Sequence, residues 1–399
     1  MELSNFQILT QYFVSGVPFG ALVALIAVGY TMVYGIIQLV NFAHGEIFMF
    51  AAYFVLTLLL PASGESLFWA QSASVILMVT WSMSLNVFLP LGIQGWPRRI
   101  IALIGGVAVG AAMYPVFCSA VPFWLAYPLA IVHTATLGVT IDRVAYLPLR
   151  EAPRLTALIT AIGVSFFLFN LAQGIWEARP RPLPEAAFPE GSVTHLLLGP
   201  SGSEGMGLSW WQTVVQTGRI PITGWLDTNV RDVLILLICI ATMAGLQWLI
   251  HRTRVGKAMR ACSMDKTTSR LVGINVDYVV AVTFAVGSAM AAIAAPLYVL
   301  RGPDLLPTMG YIVGLLAFAS AVLGGIGNIP GALIGGFMIG TITSMAPCHS
   351  QLHWPAWMPT WWVEMDLTQW GYGIAYGIMI LVIIFRPSGI LGKATATRA

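Results

Sequence analysis

The chain is a succession of long apolar runs separated by short polar breaks. Asp, Glu, Lys and Arg are absent from residues 3–45, 47–64, 66–97, 100–141, 155–176, 233–251, 278–300, 305–363 and 367–385. A helix needs about 20 mostly apolar residues to cross a bilayer, and Pro, Gly and polar clusters divide the longer runs. The pattern predicts about eleven spans, near 12–36, 40–60, 67–89, 99–118, 120–146, 155–177, 232–250, 279–300, 311–325, 331–346 and 371–386. The fold class expected is an all-α integral membrane protein with about 9–11 transmembrane helices in one domain over residues 1–399. Two of the segments near 311–346 are short and rich in glycine, which predicts half-helices.

The stretch Gly29–Tyr53, GYTMVYGIIQLVNFAHGEIFMFAAY, breaks the apolar pattern without leaving it. Asn41, His44 and Glu46 sit between two spanning runs, punctuated by Gly35 and Gly45. Polar groups in hydrocarbon are costly unless paired. The arrangement predicts a broken helix or re-entrant turn at membrane depth, near 35–50, with these groups shielded in protein; a short polar loop at the membrane face is the plainer alternative. Glu46 is expected to pair with backbone N–H groups at the start of the following helix, where negative charge is favoured. On that reading its role is structural, and Glu46→Gln keeps most function while Glu46→Leu does not.

Composition agrees with the pattern: 58% of residues are hydrophobic and only 9% charged, against about 25% charged in soluble domains. A net charge of +3 gives no reason to expect nucleic acid. The placement of the cations says more. With the N-terminus outside and the spans alternating, 14 of the 19 Lys and Arg fall on the inner side, the bias expected of cytoplasmic loops. The four cysteines lack metal or CxxC spacing, which predicts free thiols. The N-terminus has no basic region or clear cleavage site, so no removable signal peptide is expected.

Two hydrophilic segments remain. Residues 178–231 carry RPRPLPEAAFPEG and read as an irregular outer loop. Residues 251–277 are basic and lie inside; Ala258, Met259, Ala261, Cys262 and Leu271 give a short helix there an apolar face flanked by Arg260, Lys266 and Arg270. Such a segment is either a handle for a soluble partner or a basic loop that sets topology and meets lipid head groups. Between His353 and Trp370, Trp354, Trp357, Trp361, Trp362 and Trp370 read as an interfacial belt. The stretch Gly324–Gly336, GGIGNIPGALIGG, holds Gly324, Gly325, Gly327, Gly331 and Gly335; Gly327, Gly331 and Gly335 fit a close helix-packing face, with Pro330 breaking the helix between them. No GxxxxGK[ST] occurs, so ATP is not bound by that route. No nucleophile–base pair or metal cluster stands out; His349 and His353 are spaced as i, i+4 but lack an acidic partner.

The Gly29–Tyr53 stretch resembles the opening signature of permease subunits of ATP-binding-cassette importers for branched-chain amino acids, and most of all the first permease of the high-affinity leucine/isoleucine/valine type. Residues 141–163, 255–287 and 319–340 and the closing RPSGILG at 386–392 resemble the same family. The resemblance implies a large type II importer permease in the bacterial inner membrane, N-terminus outside and C-terminus cytoplasmic. It implies a second related permease, two cytoplasmic ATP-binding subunits and a periplasmic solute-binding protein as partners. No cofactor is expected on this chain; ATP and Mg would sit on the partner subunits. The resemblance places a coupling helix within Arg260–Asp277, with Arg260, Ala261, Asp265 and Gly273 at the ATPase contact. Residues 67–118 depart from the family pattern as one inserted apolar hairpin, expected to pack at the periphery. Permeases for urea or short amides share these motifs, and a stand-alone secondary transporter or channel is the alternative of a different class.

Overall fold

The computed structural model describes residues 4–89, 95–150, 152–183, 219–222, 226–302, 304–355 and 357–392. Most of the outer segment at 178–231 therefore lies outside the described residues. Among the described residues the α-helices of six residues or more are α1 (Asn5–Ile37), α2 (His44–Leu59), α3 (Glu65–Phe88), α4 (Trp96–Cys118), α5 (Phe123–Ile141), α6 (Arg154–Trp176), α7 (Val230–Arg252), α8 (Arg254–Met264), α9 (Lys266–Leu271), α10 (Val276–Leu300), α11 (Met309–Gly324), α12 (Ile329–Met345) and α13 (Gly371–Phe385). A two-stranded ribbon, Arg219–Pro221 with Asp227–Asn229, precedes α7. All the predicted spans correspond to helices, and α8 and α9 occupy the basic segment. Among the described residues, seven apolar helices are long enough to cross a membrane, while α2, α11 and α13 are shorter. The chain is thus a multi-pass helical membrane protein.

Polar residues in the breaks start the helices. The Thr253, Asp265, Asn275 and Asn328 side chains accept backbone N–H groups at the first turns of α8, α9, α10 and α12, satisfying donors that a helix start leaves open. Pro330 does not break a helix, as its place in the sequence led us to expect. It stands in the first turn of α12, where its missing N–H costs nothing.

The chain divides into two compact units, each assembled from segments remote in sequence. One comprises residues 28–187 and 244–315. At its centre α2 is buried along its whole length. Trp176 closes over it, stacked on Tyr53 with ring centroids 4.8 Å apart and donating from Nε1 to Thr57 Oγ1 at 3.0 Å. Within this unit α3 and α4 form the hairpin expected at 67–118. Gly106 and Gly110 of α4 lie against the α3 backbone; a Cβ at Gly110 would be 2.7 Å from the Ser74 carbonyl oxygen. The other face of α3 is keyed to α5 by polar pairs, with Trp81 Nε1 donating to His133 Nδ1 at 3.2 Å and Thr136 Oγ1 to Thr80 Oγ1 at 3.2 Å. α4 leaves Ile100, Leu103 and Ile104 exposed.

The second unit comprises residues 1–27, 188–243 and 316–399. Its core joins Val23 of α1, Leu316, Ala319 and Leu323 of α11, Ile339 of α12 and Ala375 of α13. Small residues bring α1 and α12 together: a Cβ at Gly340 would be 2.7 Å from the Gly20 Cα. The Trp-rich segment divides. Trp354 and Trp362 enclose His349 with centroids 4.9 and 5.0 Å from its ring, while Trp357, Trp361 and Trp370 are exposed as an interfacial belt requires. His353 turns instead to Asn5, whose Oδ1 accepts its backbone N–H at 2.7 Å.

Candidate functional site

The break between α1 and α2 is built by backbone geometry, polar contacts and one ring contact. Gln38 follows the last residue of α1 at φ +58°, a left-handed conformation that costs a non-glycine residue about 1–2 kcal/mol. The Ile37 carbonyl accepts a hydrogen bond from Lys266 Nζ at 3.2 Å, a cationic cap at a helix C-terminus. Asn41 is buried, and its Oδ1 accepts from the Tyr146 hydroxyl at 3.0 Å. Its carbonyl accepts the His44 N–H at 3.1 Å, which opens α2. The buried His44 ring packs edge-on against Tyr30 at 4.5 Å.

Gly45 then lets the start of α2 meet the start of α11 backbone to backbone. A Cβ at Gly45 would fall on the Gly310 carbonyl oxygen and 2.8 Å from the Gly314 Cα. That contact places Glu46 beside α11 and α6. Glu46 is 1% exposed, and its Oε1 accepts from Ser165 Oγ at 3.2 Å. Its Oε2 has no hydrogen-bond partner among the described residues. The backbone N–H groups anticipated from sequence are not its partners; Ser165, on a helix far along the chain, takes that place.

Glu46 borders a cavity of about 470 Å³ lined also by Tyr30, Ser165, Ile162, Phe166, Phe169 and Leu315. Ligand cavities are mostly apolar with a few placed polar groups and run to about 300–1,000 Å³. This one has apolar walls and one buried carboxylate.

Lys266 links the break to the basic segment. α8 buries Gly256, Met259 and Cys262, while Arg260 is exposed and Ala261 half-buried. Asp265 ends α8 and caps α9: Oδ1 accepts the Thr267 N–H at 2.8 Å and Oδ2 accepts the Thr268 hydroxyl. The Thr268 hydroxyl, with the Thr268 and Thr267 N–H groups, holds the Asp265 carboxyl below its usual range. Burial, followed by the Arg150 and Arg270 charges, lowers Lys266. Gly273 leaves α9 at φ +84°. Met264, Leu271 and Val272 are 89%, 83% and 69% exposed, an apolar tip beside Arg260 and Arg270.

Asp265→Ala removes two hydrogen bonds at this cap and is expected to lower the thermal midpoint. Because the folded state lowers the Asp265 pKa, this contribution is present above the unfolded carboxylate value near about 3.9 and is lost as pH falls through the folded one.

A family model described as the branched-chain amino acid transport system permease component matches residues 12–383. The chain belongs to this permease family. It is 31% identical over 383 residues to the high-affinity branched-chain amino acid transport system permease protein BraD of Pseudomonas aeruginosa, covering 96% of this chain and 95% of the relative. The corresponding Escherichia coli protein LivH is also 31% identical over 383 residues, with the same coverage. A shorter match, 31% over 103 residues and 24% of this chain, is to the ribose import permease protein RbsC of Escherichia coli.

The glycines of the permease's C-terminal third split between packing and turning. Gly324 and Gly331 face each other across α11 and α12 so closely that a Cβ on either would strike the other's carbonyl, and Gly335 lies over the Ser320 carbonyl. Gly327 is not on that face, contrary to its i, i+4 spacing. Gly325 and Gly327 make the turn between the helices at φ +103° and +90°. Gly325 also receives the closing segment, with Gly392 N 2.6 Å from where its Cβ would be.

Sequence reasoning missed four residues of the site. Tyr146, just after α5, and Ser165, Gly310 and Lys266, from α6, α11 and α9, reach the break. Lys266 had a signal, a cation in a segment flanked by two spans; Ser165 and Gly310 are ordinary membrane-helix residues with none.

Proposed function

We propose that this permease is the membrane subunit of an ATP-driven importer for leucine, isoleucine, valine or a related amino acid. The observation that carries the reading is the Glu46 cavity within a chain aligned nearly end to end with branched-chain amino acid permeases. A zwitterion with an aliphatic side chain needs an acceptor for its ammonium and apolar walls for the rest. Glu46 Oε2 and Ser165 supply the first, and Ile162, Phe166, Phe169 and Leu315 the second.

The permease works with a second related permease, two ATP-binding subunits that hold ATP and Mg, and a solute-binding protein on the opposite face. The bias of cations toward one side supports an orientation with the N-terminus outside and the α8–α9 segment in the cytoplasm. The exposed Met264, Leu271 and Val272 beside Arg260 give an ATP-binding subunit an apolar knob with a charged rim. Pressure on α9 reaches the end of α1 through the Lys266–Ile37 bond, and so the break that shapes the cavity. The strained Gln38 is the residue that can change conformation there. ATP binding by the partners thereby shifts the pair between outward- and inward-open states, one side at a time.

Glu46→Gln tests the site. The variant keeps the shape and the Ser165 bond but removes the charge. Hydrogen bonds to charged groups contribute about 1.5–3 kcal/mol, so KM for leucine uptake should rise about tenfold or more with folded yield unchanged. Uptake at the wild-type KM would return Glu46 to a structural role. Coupling is tested separately: Gly273→Pro cannot hold φ +84° and is expected to abolish uptake and solute-stimulated ATP hydrolysis in a protein that still inserts. Full uptake in that variant would remove the segment from the mechanism.

A further inference from the structure

A second and larger cavity, about 850 Å³, lies where the α3–α4 hairpin meets the ends of α5 and α10. Three guanidinium groups border it: Arg98 and Arg99 from the start of α4, and Arg143 just after α5. Arg98 Nη2 donates to the Val87 and Leu89 carbonyls at 3.0 and 3.2 Å, and Arg143 Nη2 to the Asp277 carbonyl at 3.0 Å. In both residues Nε is buried with no hydrogen-bond partner among the described residues. Arg99 stands over the Trp96 ring with its guanidinium carbon 5.9 Å from the centroid.

The carboxylates nearby neutralise this group only in part, with Arg143 Nε 3.7 Å from Asp142 Oδ2. Asp277 lines the cavity, but its Oδ1 is taken by Arg150, which also binds the buried Asp142 at 2.8 Å. Four arginines thus face two carboxylates, an excess of two positive charges with donor capacity unspent. Such a site selects an anion with several acceptor oxygens, and a phosphate meets that need. The rest of the wall is apolar, with Met83, Val87 and Phe88. From Arg99 the exposed Ile100, Leu103 and Ile104 continue along α4. Phosphate recognition next to an apolar track on a spanning helix is the chemistry of an anionic phospholipid.

We propose that this cavity holds the phosphate of an anionic phospholipid, its acyl chains lying along α4, so that a lipid wedges the inserted hairpin against the segment leading from Asn275 into α10. The test uses the full-length chain in detergent, delipidated and titrated with dioleoylphosphatidylglycerol, dioleoylphosphatidylcholine or inorganic phosphate, with bound species counted by native mass spectrometry. One phosphatidylglycerol per chain should be retained at a concentration at least about tenfold below that needed for phosphatidylcholine. A cation near anionic lipid contributes about 1 kcal/mol, so Arg98→Gln and Arg99→Gln should each weaken phosphatidylglycerol retention about fivefold without changing phosphatidylcholine. Arg252→Gln, at the end of α7, should change neither. Arg98 also ties two carbonyls of the hairpin, so if that variant fails to fold, Arg99→Gln decides the matter, its side chain being exposed. Equal retention of the two lipids, or wild-type phosphatidylglycerol affinity in Arg99→Gln, overturns the proposal. So does displacement of the lipid by an equal concentration of inorganic phosphate, which would make this a site for the free anion.

Discussion

Gly45→Val is expected to leave little folded permease. A Cβ at position 45 would fall on the Gly310 carbonyl oxygen, and one at Gly310 would come within 2.9 Å of the Gly45 carbonyl oxygen and 2.5 Å of Glu46 Oε2. Both sides of the contact are backbone, so no side chain can swing aside. Overpacking a well-packed interior costs about 1–3 kcal/mol and occasionally more; here α2 would have to part from α11, so the upper end of that range applies. The helix start also carries His44 and Glu46, so even Gly45→Ala should disturb the cavity. The check is the monodisperse peak and thermal midpoint of detergent-solubilised protein, with Gly163→Ala as the control, since a Cβ at Gly163 meets nothing within 4 Å. A Gly45→Ala protein with the wild-type midpoint would mean that α2 and α11 do not approach as described.

The second large effect is expected at Arg150. Asp142 is wholly buried, and Arg150 Nη2 donates to its Oδ1 at 2.8 Å while Nη1 bonds to Asp277. Arg143 Nε lies 3.7 Å from the other Asp142 oxygen. Removing one partner of a buried pair costs about 3–5 kcal/mol, because a charge is left without compensation. Arg143 remains, so Arg150→Ala should fall near the lower end, a loss of about 3 kcal/mol. Arg150→Lys should also be impaired, since one ammonium cannot bridge two carboxylates as the guanidinium does. Adding Asp142→Asn to Arg150→Ala removes the stranded charge and should recover part of the thermal midpoint. If Arg150→Ala were as stable as the wild type, the network would be a surface pairing of little worth.

These residues show what was legible in the sequence. Helix positions were readable because crossing a bilayer demands length and apolarity together, and the breaks carry Pro, Gly and charge. The interruption before α2 was readable for the same reason, since Asn41, His44 and Glu46 cannot face lipid unpaired. What they pair with was not. Tyr146, Ser165 and Gly310 come from other helices, and nothing local in the chain marks a membrane-helix serine as the partner of a distant carboxylate. Spacing misassigned Gly327 and Pro330 because periodicity assumes a continuing helix, whereas Asn328 caps a new one there. Arg150 and Lys266 counted in the sequence only as positive charge. Their particular bonds, to Asp142 and Asp277 and to the Ile37 carbonyl, depend on how α5, α9 and α10 are brought together.

The most direct test of the account is uptake of radiolabelled leucine into proteoliposomes containing this permease with the subunits that co-purify with it. The account predicts uptake that requires ATP and the solute-binding protein, that is insensitive to a collapsed proton or sodium gradient, and that loses affinity in Glu46→Gln. Leucine uptake by the permease alone, driven by an ion gradient without ATP, would contradict it.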